Sequence, residues 1–430
     1  MQMPRSSGNA ILMISLHGYV AADPELGKPD TGGQVVYVLE LGKRFGQLGY
    51  QVDLVTRRFE EQPEVDEVTN DFRVWRIPFG GKGFIRKEDM HDYADAFVAN
   101  CLAQIASQGR QYVAVYSHYW DAGWAGQKIA EELNIPHVHK PHSLGWWKRE
   151  NMGATMDTEQ MEKMYRFRER LHKEYLVYRT CNHIIATTLE QAELLKEDYD
   201  VLERHITVVP PGMDENRFSP VAASTRAELF NKYGMKENDV LAVGRMAKNK
   251  GHDLLIQSLP HLFELVPDAR LIAGIGSQNS DADDKGVEEL RSIAQELEIY
   301  DRIVWTRYIP DEDLANYYRA ASVFALSSRY EPFGMVAIEA MACGTPSVVT
   351  VHGGLVGLID FGTQALFADP HRATEFGVML ALPMLYPTLR AELSVEGSRF
   401  ARRNFGWTGI ARRIIDIILR SQGMHAYRAS

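Results

Sequence analysis

At 430 residues the chain is longer than one ordinary domain and can form two or three, each with its own core. Hydrophobic residues make up 45% and charged residues 24%, which is typical of globular proteins. The formal net charge of −10 argues against nucleic acid as the main partner, because duplex binding depends on clustered Lys and Arg. An anionic small-molecule substrate must therefore be bound by local groups of basic side chains.

The cysteines and the apolar runs indicate the compartment. Cys101, Cys181 and Cys343 are far apart and include no C-x-x-C pair, which argues against a disulfide framework or a zinc site. No apolar run approaches the ~20 residues that cross a bilayer, and the N-terminus lacks the hydrophobic region of a signal peptide. We expect a cytoplasmic protein with no membrane partner.

Short apolar runs alternate with helical patterns through the first half of the chain. The predicted strands are 10–16, 52–56, 113–117, 136–139 and 183–187, and the clearest amphipathic helix is 34–48. This alternation predicts a parallel sheet that is covered by helices on both faces.

The pattern breaks at residues 208–213, where two prolines and a glycine mark a domain boundary. A second α/β series follows, with a polar loop at 276–285 and a final amphipathic helix from Trp407. Its predicted strands are 240–244, 270–273, 303–308, 323–327 and 346–350, and its helices are 253–265 and 336–342. We expect two doubly wound Rossmann-like domains, 1–210 and 211–406, facing a central cleft, with ligands at the carboxyl ends of the strands.

The segment from Ser328 to Glu339 carries the strongest chemical pattern. A strand ends at Ser328, and the next helix is expected to begin near Glu331, which would place Glu331 and Glu339 about 80° apart around the helix. The N–H groups near Gly334 would then form a phosphate site at the helix N-terminus. The alternative is a turn with a charged helix cap.

Two further turns are suited to a diphosphate. Arg245 and Lys250 follow a strand and precede a helix, so they would lie at the carboxyl edge of the sheet. The alternative there is a solvated basic turn. Gly33, which follows Thr31-Gly32, opens the first helix, and its glycine pair would let a ligand approach the backbone.

Residues 139–148 end a strand and carry His142 and Lys148. His142 could donate a hydrogen bond to a sugar, and Lys148 could bind a phosphate. A single histidine at a strand end is, however, more often a structural group.

The combination of motifs resembles the retaining GT-B glycosyltransferases of family 4, in particular the group that contains sucrose-phosphate synthase and mannosylfructose-phosphate synthase. The resemblance covers essentially the whole chain and depends on five motifs in order. They are HGY at 17–19, DTGGQ at 30–34, HSLG at 142–145, GR…NKG at 244–251 and SSRYEPFGMVAIEAMACGTP at 327–346.

The resemblance implies a role for each matching residue. Arg245 and Lys250 would hold the donor diphosphate, Glu331 the sugar hydroxyls and Glu339 the ribose, with His142 near the transferred hexose. Backbone N–H groups of Phe333, Gly334, Met335 and Val336 would contact the diphosphate and the sugar. Gly33 and Gln34 would lie near the acceptor and the departing phosphate, and the acceptor phosphate would be bound by Lys87, Lys148, Arg168 and Arg170. The final helix, 407–430, would pack back onto the first domain.

The family's chemistry needs no cofactor and no metal, because the two cations Arg245 and Lys250 neutralise the leaving diphosphate. Asp281, Asp283 and Asp284 resemble the metal-binding Asp-x-Asp of other glycosyltransferases. They fall in the expected polar loop, however, and we interpret them as solvated acids.

Two other enzyme classes compete with this interpretation. A nicotinamide-dependent oxidoreductase is suggested by Gly274-Ile275-Gly276, but Asn279 stands where the third glycine is needed and a loop is expected where a helix should follow. A sugar-nucleotide epimerase of the same architecture would not need the basic acceptor residues. A non-catalytic binding module is disfavoured because the donor motifs are complete.

The donor sugar is the open question. Both enzymes of the group use fructose 6-phosphate, one with UDP-glucose and the other with GDP-mannose. Residues 351–355, VHGGL, and Trp146-Trp147 favour the mannosyl enzyme, whereas the wider distribution of sucrose-phosphate synthase favours glucose as the first expectation. A separate phosphatase would then complete the disaccharide.

Overall fold

The computed structural model describes residues 9–23, 33–153, 157–276, 281–331 and 333–429. The chain divides into two compact units. Unit 1 contains Met1–Pro211 and Trp407–Ser430, and unit 2 contains Gly212–Gly406. The division after Pro211 lies one residue beyond the expected boundary, and the last helix belongs to the first unit.

Within the described residues, unit 1 contains an eight-stranded sheet in the order β3-β4-β2-β1-β5-β6-β7-β8. Its strands are β1 (Ala10–Ile14), β2 (Gln51–Arg58), β3 (Val65–Thr69), β4 (Phe72–Pro78), β5 (Tyr112–His118), β6 (His137–Lys140), β7 (His183–Ala186) and β8 (Ile206–Val208). All neighbours pair in parallel except β3, which is antiparallel to β4. The buried strands are short apolar runs because helices cover both faces of the sheet.

The helices of unit 1 include one from the end of the chain. They are α1 (Gly33–Gln47), α2 (Ala94–Gln108), α3 (Tyr119–Leu133), α4 (Gly145–Gly153), α5 (Thr158–Tyr165), α6 (Phe167–Thr180), α7 (Leu189–Tyr199) and α15 (Trp407–Ala429). Val35 and Val38 of α1 share a buried cluster with Ile410 and Ile414 of α15. The C-terminal segment therefore completes the core of unit 1.

Within the described residues, unit 2 contains a six-stranded parallel sheet in the order β11-β10-β9-β12-β13-β14. Its strands are β9 (Asp239–Gly244), β10 (Arg270–Ile275), β11 (Ile303–Trp305), β12 (Val323–Leu326), β13 (Ser347–Thr350) and β14 (Leu366–Ala368). Its helices are α8 (Ala223–Tyr233), α9 (His252–Leu265), α10 (Asp281–Glu296), α11 (Asp311–Ala320), α12 (Met335–Ala342), α13 (Ala373–Leu385) and α14 (Pro387–Phe405). None of the described helices in either unit combines the length and apolar composition needed to cross a bilayer.

In each sheet there is one point at which the strand order reverses: the chain first adds strands on one side of its first strand and then on the other. In unit 1 the strands run outward from β1 to β2 and β4, and the chain then returns to β5 on the other side of β1. In unit 2 they run from β9 to β10 and β11 and return to β12 beside β9. Ligands of doubly wound sheets bind outside the carboxyl ends of the strands at such points. The prediction of two doubly wound Rossmann-like domains is confirmed.

Several details differ from the sequence prediction. Helix α10 begins at Asp281, so Asp283 and Asp284 lie in its first turn and not in a loop. Acidic residues stabilise a helix N-terminus, which explains why this polar stretch is helical. Helix α12 begins at Met335, so Glu331 precedes the helix. Four strands were not predicted: β3, β4, β8 and β14. The side chains of the edge strand β3 are mostly polar and incompletely buried, β4 is interrupted by Arg73 and Arg76, and β8 and β14 have only three residues each.

Candidate functional site

Lys250 and Glu331 form an ion pair at the switch point of unit 2. Lys250 Nζ donates to Glu331 Oε2 at 2.7 Å, and the Ser328 hydroxyl donates to the same oxygen at 3.0 Å. The side chain of Glu331 is only 10% exposed and that of Lys250 is 19% exposed. The carboxylate is therefore fixed by two donors, while the ammonium keeps N–H groups for a ligand.

Backbone and side-chain contacts hold together the loops after β9 and β12. Arg329 N–H donates to the Asn249 carbonyl at 2.8 Å, and its guanidinium forms two hydrogen bonds with the Asp253 carboxylate. Gly251 has a φ of +63°, and a Cβ at this position would lie 2.1 Å from the Ser327 carbonyl oxygen. Only glycine allows this approach, which places Lys250 beside Glu331.

Arg245 is exposed at the carboxyl end of β9. Its carbonyl oxygen lies 3.1 Å from His252 Nε2, which anchors the backbone of the loop. Among the described residues, none pairs with the Arg245 guanidinium. The side chain is thus available to an anionic ligand.

A third segment supports Glu331 and was not predicted as part of the site. Glu331 N–H donates to the His352 carbonyl at 3.0 Å, and Gly354 N–H donates to the Glu331 carbonyl at 3.1 Å. A Cβ at Gly353 would lie 2.8 Å from the Glu331 carbonyl oxygen. Gly353 in VHGGL therefore has a structural reason that the sequence alone did not reveal.

Helix α12 begins with Gly334 as its cap, at a φ of +87°. Phe333 is buried and Met335 and Val336 are partly buried, so their N–H groups, and not their side chains, are the natural ligand contacts.

Glu339 lies about one turn into α12 and faces a different environment from Glu331. The Tyr318 hydroxyl donates to Glu339 Oε2 at 3.1 Å. Burial raises the pKa of the Glu339 carboxyl to about 7, although the Tyr318 hydrogen bond and the charge of Arg217 oppose the shift. The expected arrangement of both carboxylates on one helix is wrong, because Glu331 lies before the helix begins.

In unit 1, His142 lies just beyond β6 with a φ of +60°. Its Nε2 lies 3.1 Å from Nδ1 of the buried His118, and the Tyr37 ring packs edge-on at 5.2 Å. Burial, assisted by neighbouring positive charges that include Lys140, lowers the pKa of His142 well below its ordinary value. The imidazole is therefore neutral at physiological pH and can donate or accept a hydrogen bond.

Arg170 is buried next to His142. Its guanidinium donates to the Glu174 carboxylate at 2.7 Å, to the Tyr119 hydroxyl at 2.9 Å and to the Ser143 carbonyl at 3.0 Å. Tyr119 also has a positive φ, +73°, at the start of α3. These contacts tie the HSLG segment to α3 and α6.

The other predicted acceptor residues lie around this centre to different extents. The side chain of Lys87 is 27% exposed beside Glu88, and its charge acts on Tyr119. Lys148 packs over the Tyr165 ring at 4.3 Å, whereas Arg168 is exposed and does not share the buried environment of Arg170.

The start of α1 carries the remaining predicted residues. Gly33 is the first residue of the helix and is exposed, and Gln34 Nε2 donates to the Ser15 hydroxyl at 3.0 Å. Asp30, Thr31 and Gly32 of the same motif lie outside the described residues. Gln34 is thus fixed at the carboxyl end of β1.

The chain matches the family description "Glycosyl transferases group 1" over residues 225–394 and "Glycosyltransferase Family 4" over residues 31–217. It also matches "Sucrose synthase first GT-B domain" over residues 6–48. A mannosylfructose-phosphate synthase from Agrobacterium fabrum is 48% identical over 413 residues, which is 95% of this chain and 90% of that protein. A D-inositol 3-phosphate glycosyltransferase from Xylanimonas cellulosilytica is 33% identical and covers 96% of this chain and 97% of its own length.

Among solved structures, a sucrose-phosphate synthase from Thermosynechococcus elongatus superposes with a TM-score of 0.71 at 28% identity. The superposition covers 98% of this chain and 100% of that chain. The fold agreement thus extends over both units.

Proposed function

Because the chain belongs to the group 1 and family 4 glycosyltransferases and has the GT-B fold, we propose that it transfers a hexose from a nucleotide sugar to fructose 6-phosphate, with retention of configuration. The observation that supports this proposal most strongly is the Lys250–Glu331 pair at the switch point of unit 2. It combines a cation for a leaving diphosphate with a carboxylate for sugar hydroxyls.

Unit 2 would bind the donor. The exposed guanidinium of Arg245 and the ammonium of Lys250 would neutralise the diphosphate, with the N–H groups at the start of α12 as further donors. Glu331 would accept hydrogen bonds from the hexose, and Glu339 from the ribose. The raised pKa of Glu339 fits a carboxyl group that binds neutral hydroxyls in a buried position.

The chemistry would be carried by the substrates. The bond between the anomeric carbon and the diphosphate oxygen breaks, and a bond to the acceptor hydroxyl oxygen forms on the same face. The hydroxyl proton passes to the departing diphosphate, so no protein nucleophile is needed. The protein lowers the barrier by stabilising the negative leaving group in fixed geometry.

Unit 1 would bind the acceptor. Lys87, Lys148, Arg168 and Arg170 are the basic residues proposed for its phosphate, and His142 is proposed to contact the transferred hexose. The Arg170 contacts to Ser143 and Tyr119 support a site at this place, because they fix the segment that carries His142. Gly33 and Gln34 would approach the acceptor from α1.

Between the two donors, we propose GDP-mannose ahead of UDP-glucose. The A. fabrum relative, named for mannosyl, fructose and phosphate groups, is 48% identical, whereas the sucrose-phosphate synthase structure is 28% identical. The first expectation of glucose rested on the wider distribution of sucrose-phosphate synthase, whereas residues 351–355 and Trp146-Trp147 already favoured the mannosyl enzyme.

One experiment tests the proposal. The protein is incubated with fructose 6-phosphate and, in turn, GDP-mannose, GDP-glucose, UDP-glucose and ADP-glucose, and the products are identified by mass and by NMR of the anomeric proton. We expect a mannosyl-fructose phosphate of the donor's own configuration. Fructose and inositol 3-phosphate serve as comparison acceptors, the latter because of the 33% identical relatives. Donor turnover without any acceptor would instead support an epimerase, and an inverted product would refute retention.

We also propose that the reaction needs no metal ion, because two cationic side chains stand where the diphosphate would bind. Turnover should be unchanged after treatment with EDTA. A loss of turnover that added magnesium restores would contradict the proposal that no metal ion is needed. A cytoplasmic location and a separate downstream phosphatase remain part of the proposal, and the three buried free cysteines are consistent with a reducing compartment.

A further inference from the structure

A group of buried polar side chains lies beneath His142. His118, at the end of β5, is fully buried, and its Nδ1 faces His142 Nε2 at 3.1 Å. Lys140, the last residue of β6, is 1% exposed. The proposed mechanism gives neither residue a role.

The contacts of His118 determine which nitrogen of His142 carries the proton. His118 Nε2 is buried, and no described residue bonds to it. Orphaned N–H groups are rarer in proteins than acceptors with an unused lone pair, so His118 carries its proton on Nδ1 and donates to His142. Neutral His142 must then carry its own proton on Nδ1. That nitrogen has no partner among the described residues, and His142 is only partly buried.

Lys140 has a buried amino group whose described contacts include no carboxylate. Its Nζ donates to the Val209 carbonyl at 3.3 Å and lies 5.0 Å from the centre of the Tyr37 ring. The same Tyr37 ring packs edge-on against His118 and His142, at 5.7 and 5.2 Å. Isolated buried charges are costly, and proteins retain them mainly where they act.

We propose that His118 and Lys140 are positioning residues: His118 orients His142 so that it presents Nδ1–H to the transferred sugar, and the buried amino group of Lys140 disfavours a second proton on His142. The proposal rests on the contact of His142 with the hexose given under the proposed function. A neutral donor binds a sugar hydroxyl without placing positive charge beside the oxocarbenium-like carbon of the transition state, where an imidazolium would be repulsive.

The groups around His142 are consistent with this assignment. They are Tyr37 on α1, His17 after β1 with its partner Asp121 on α3, Tyr116 and His118 on β5, His139 and Lys140 on β6, and Arg170 with Glu174 on α6. Asp121 already bonds to the His17 ring, and Glu174 already pairs with Arg170. Burial lowers the pKa of Lys140 to about 7, so below neutral pH the proton goes to Lys140 before the imidazoles.

The protonated nitrogen can be read directly from the ligand-free protein. Long-range ¹H–¹⁵N spectra of histidine-labelled protein at pH 8 should show His142 protonated at Nδ1 and unprotonated at Nε2. Spectra of His118→Asn and His142→Gln assign the signals. A proton on Nε2 of His142 would overturn the proposal, and this result does not depend on whether the proposed reaction occurs.

The role of His118 is tested by two substitutions. His118→Asn places an amide N–H where Nδ1–H was and should stay within about threefold of the wild-type kcat, whereas His118→Leu should lose about tenfold or more with little change in the KM for fructose 6-phosphate. The control for loss of a buried imidazole is His183→Asn. His183 is a buried histidine on β7 that bonds to Thr207 on β8. Equal kcat values for the Asn and Leu variants would overturn the role.

The role of Lys140 is tested by Lys140→Met, which keeps most of the buried stem. The His142 imidazole should then titrate closer to its ordinary range, and the ratio of kcat at pH 5.5 to kcat at pH 8 should fall. Lys128→Met is the control: it removes a cation of α3 that pairs with Asp95, and the titration of His142 should not change. An unchanged His142 titration in Lys140→Met would overturn the proposal. Should that variant not fold, Lys140→Gln gives the same measurement.

Discussion

At the scale of single residues, unit 2 places two opposite charges where one ligand would need both. The same Glu331 oxygen accepts from Lys250 and from Ser328, so its position does not depend on Lys250 alone. The ion pair is only partly exposed, and its charges are screened less than those of a surface pair. Lys250 can therefore be removed without releasing the Glu331 carboxylate.

Lys250→Ala should lower kcat by about a hundredfold or more, since one charge-stabilising donor is typically worth ~3 kcal/mol in the transition state. The melting temperature should change little, because Ser328 still holds Glu331. Lys248→Ala is the matched control: Lys248 is an exposed cation in the same turn and should retain full turnover. Near-normal kcat in Lys250→Ala would remove this residue from the site.

Glu339 should make the stability of the protein depend on pH. Its folded pKa of about 7 is above the ordinary value of 4.5, so the folded state binds more protons and the free energy of unfolding falls as the pH rises through this window. Glu339→Gln, which can still accept from Tyr318, should match the wild type near pH 4.5 and be more stable at pH 8, by no more than ~3 kcal/mol.

Urea unfolding at both pH values measures this effect. Glu312→Gln, on the exposed start of α11, is the control and should show no such gain. If Glu339→Gln gained equally at both pH values, the cause would not be the titration of this carboxyl group. The same variant should also bind the nucleoside diphosphate more weakly, if Glu339 holds the ribose.

At the scale of elements, the proposed donor site is a junction of three loops after β9, β12 and β13. Glycines permit their contacts: Gly251 against the Ser327 carbonyl and Gly353 against the Glu331 carbonyl. The strands are rigid and paired in register, so small changes in these loops displace the ligand groups directly.

Gly251→Ala should therefore lower activity and stability far more than the strain of a positive φ alone would. Gly234 has the same φ of +63° with nothing near the position of a Cβ, whereas at Gly251 the Cβ would meet backbone at 2.1 Å. Gly234→Ala should cost about 1 kcal/mol of stability and leave kcat unchanged. Gly251→Ala should lose activity by more than tenfold and melt at a lower temperature; equal effects of the two would refute the packing argument.

How far the sequence predicted these elements depended on whether a strand is a continuous apolar run. Runs such as β1 were predicted to within a few residues, whereas the polar edge strand β3 and the buried strand β4, which Arg73 and Arg76 interrupt, were missed. The position of Glu331 before the helix follows from its bridge to Gly353, a contact distant in sequence. Lys140 looks like a surface lysine in the sequence, because nothing local reveals that its strand end is buried. The roles of the predicted site residues remain to be tested by ligand binding.

At the scale of the whole molecule, the chain leaves unit 1 at Pro211, forms unit 2 and returns at Trp407. Unit 2 is continuous and contains complete buried clusters of its own. Unit 1 is not continuous, because α15 contributes the last part of the cluster around α1. One continuous stretch of sequence therefore contains the whole of unit 2, whereas unit 1 needs two separate stretches.

We expect a fragment of residues 212–406 to fold alone and a fragment of residues 1–211 to fail. The second fragment lacks buried Ile410, Ile414 and Ile418 of α15. Each buried isoleucine contributes roughly 1.5–3 kcal/mol, so losing several exceeds much of the 5–15 kcal/mol by which a typical protein is stable. Circular dichroism and thermal unfolding of both fragments measure the difference.

Within the full chain, neighbouring residues of α15 provide the matched comparison. Ile418 is fully buried, whereas Leu419 is 45% exposed. Ile418→Ala should lower the free energy of unfolding by about 2–5 kcal/mol and Leu419→Ala by well under 1. A stable, cooperatively unfolding 1–211 fragment, or equal effects of the two substitutions, would show that α15 is an accessory to unit 1. The opposite result would mean that unit 1 cannot be completed until the chain has been synthesised to its last helix, so that unit 2 has the first opportunity to fold.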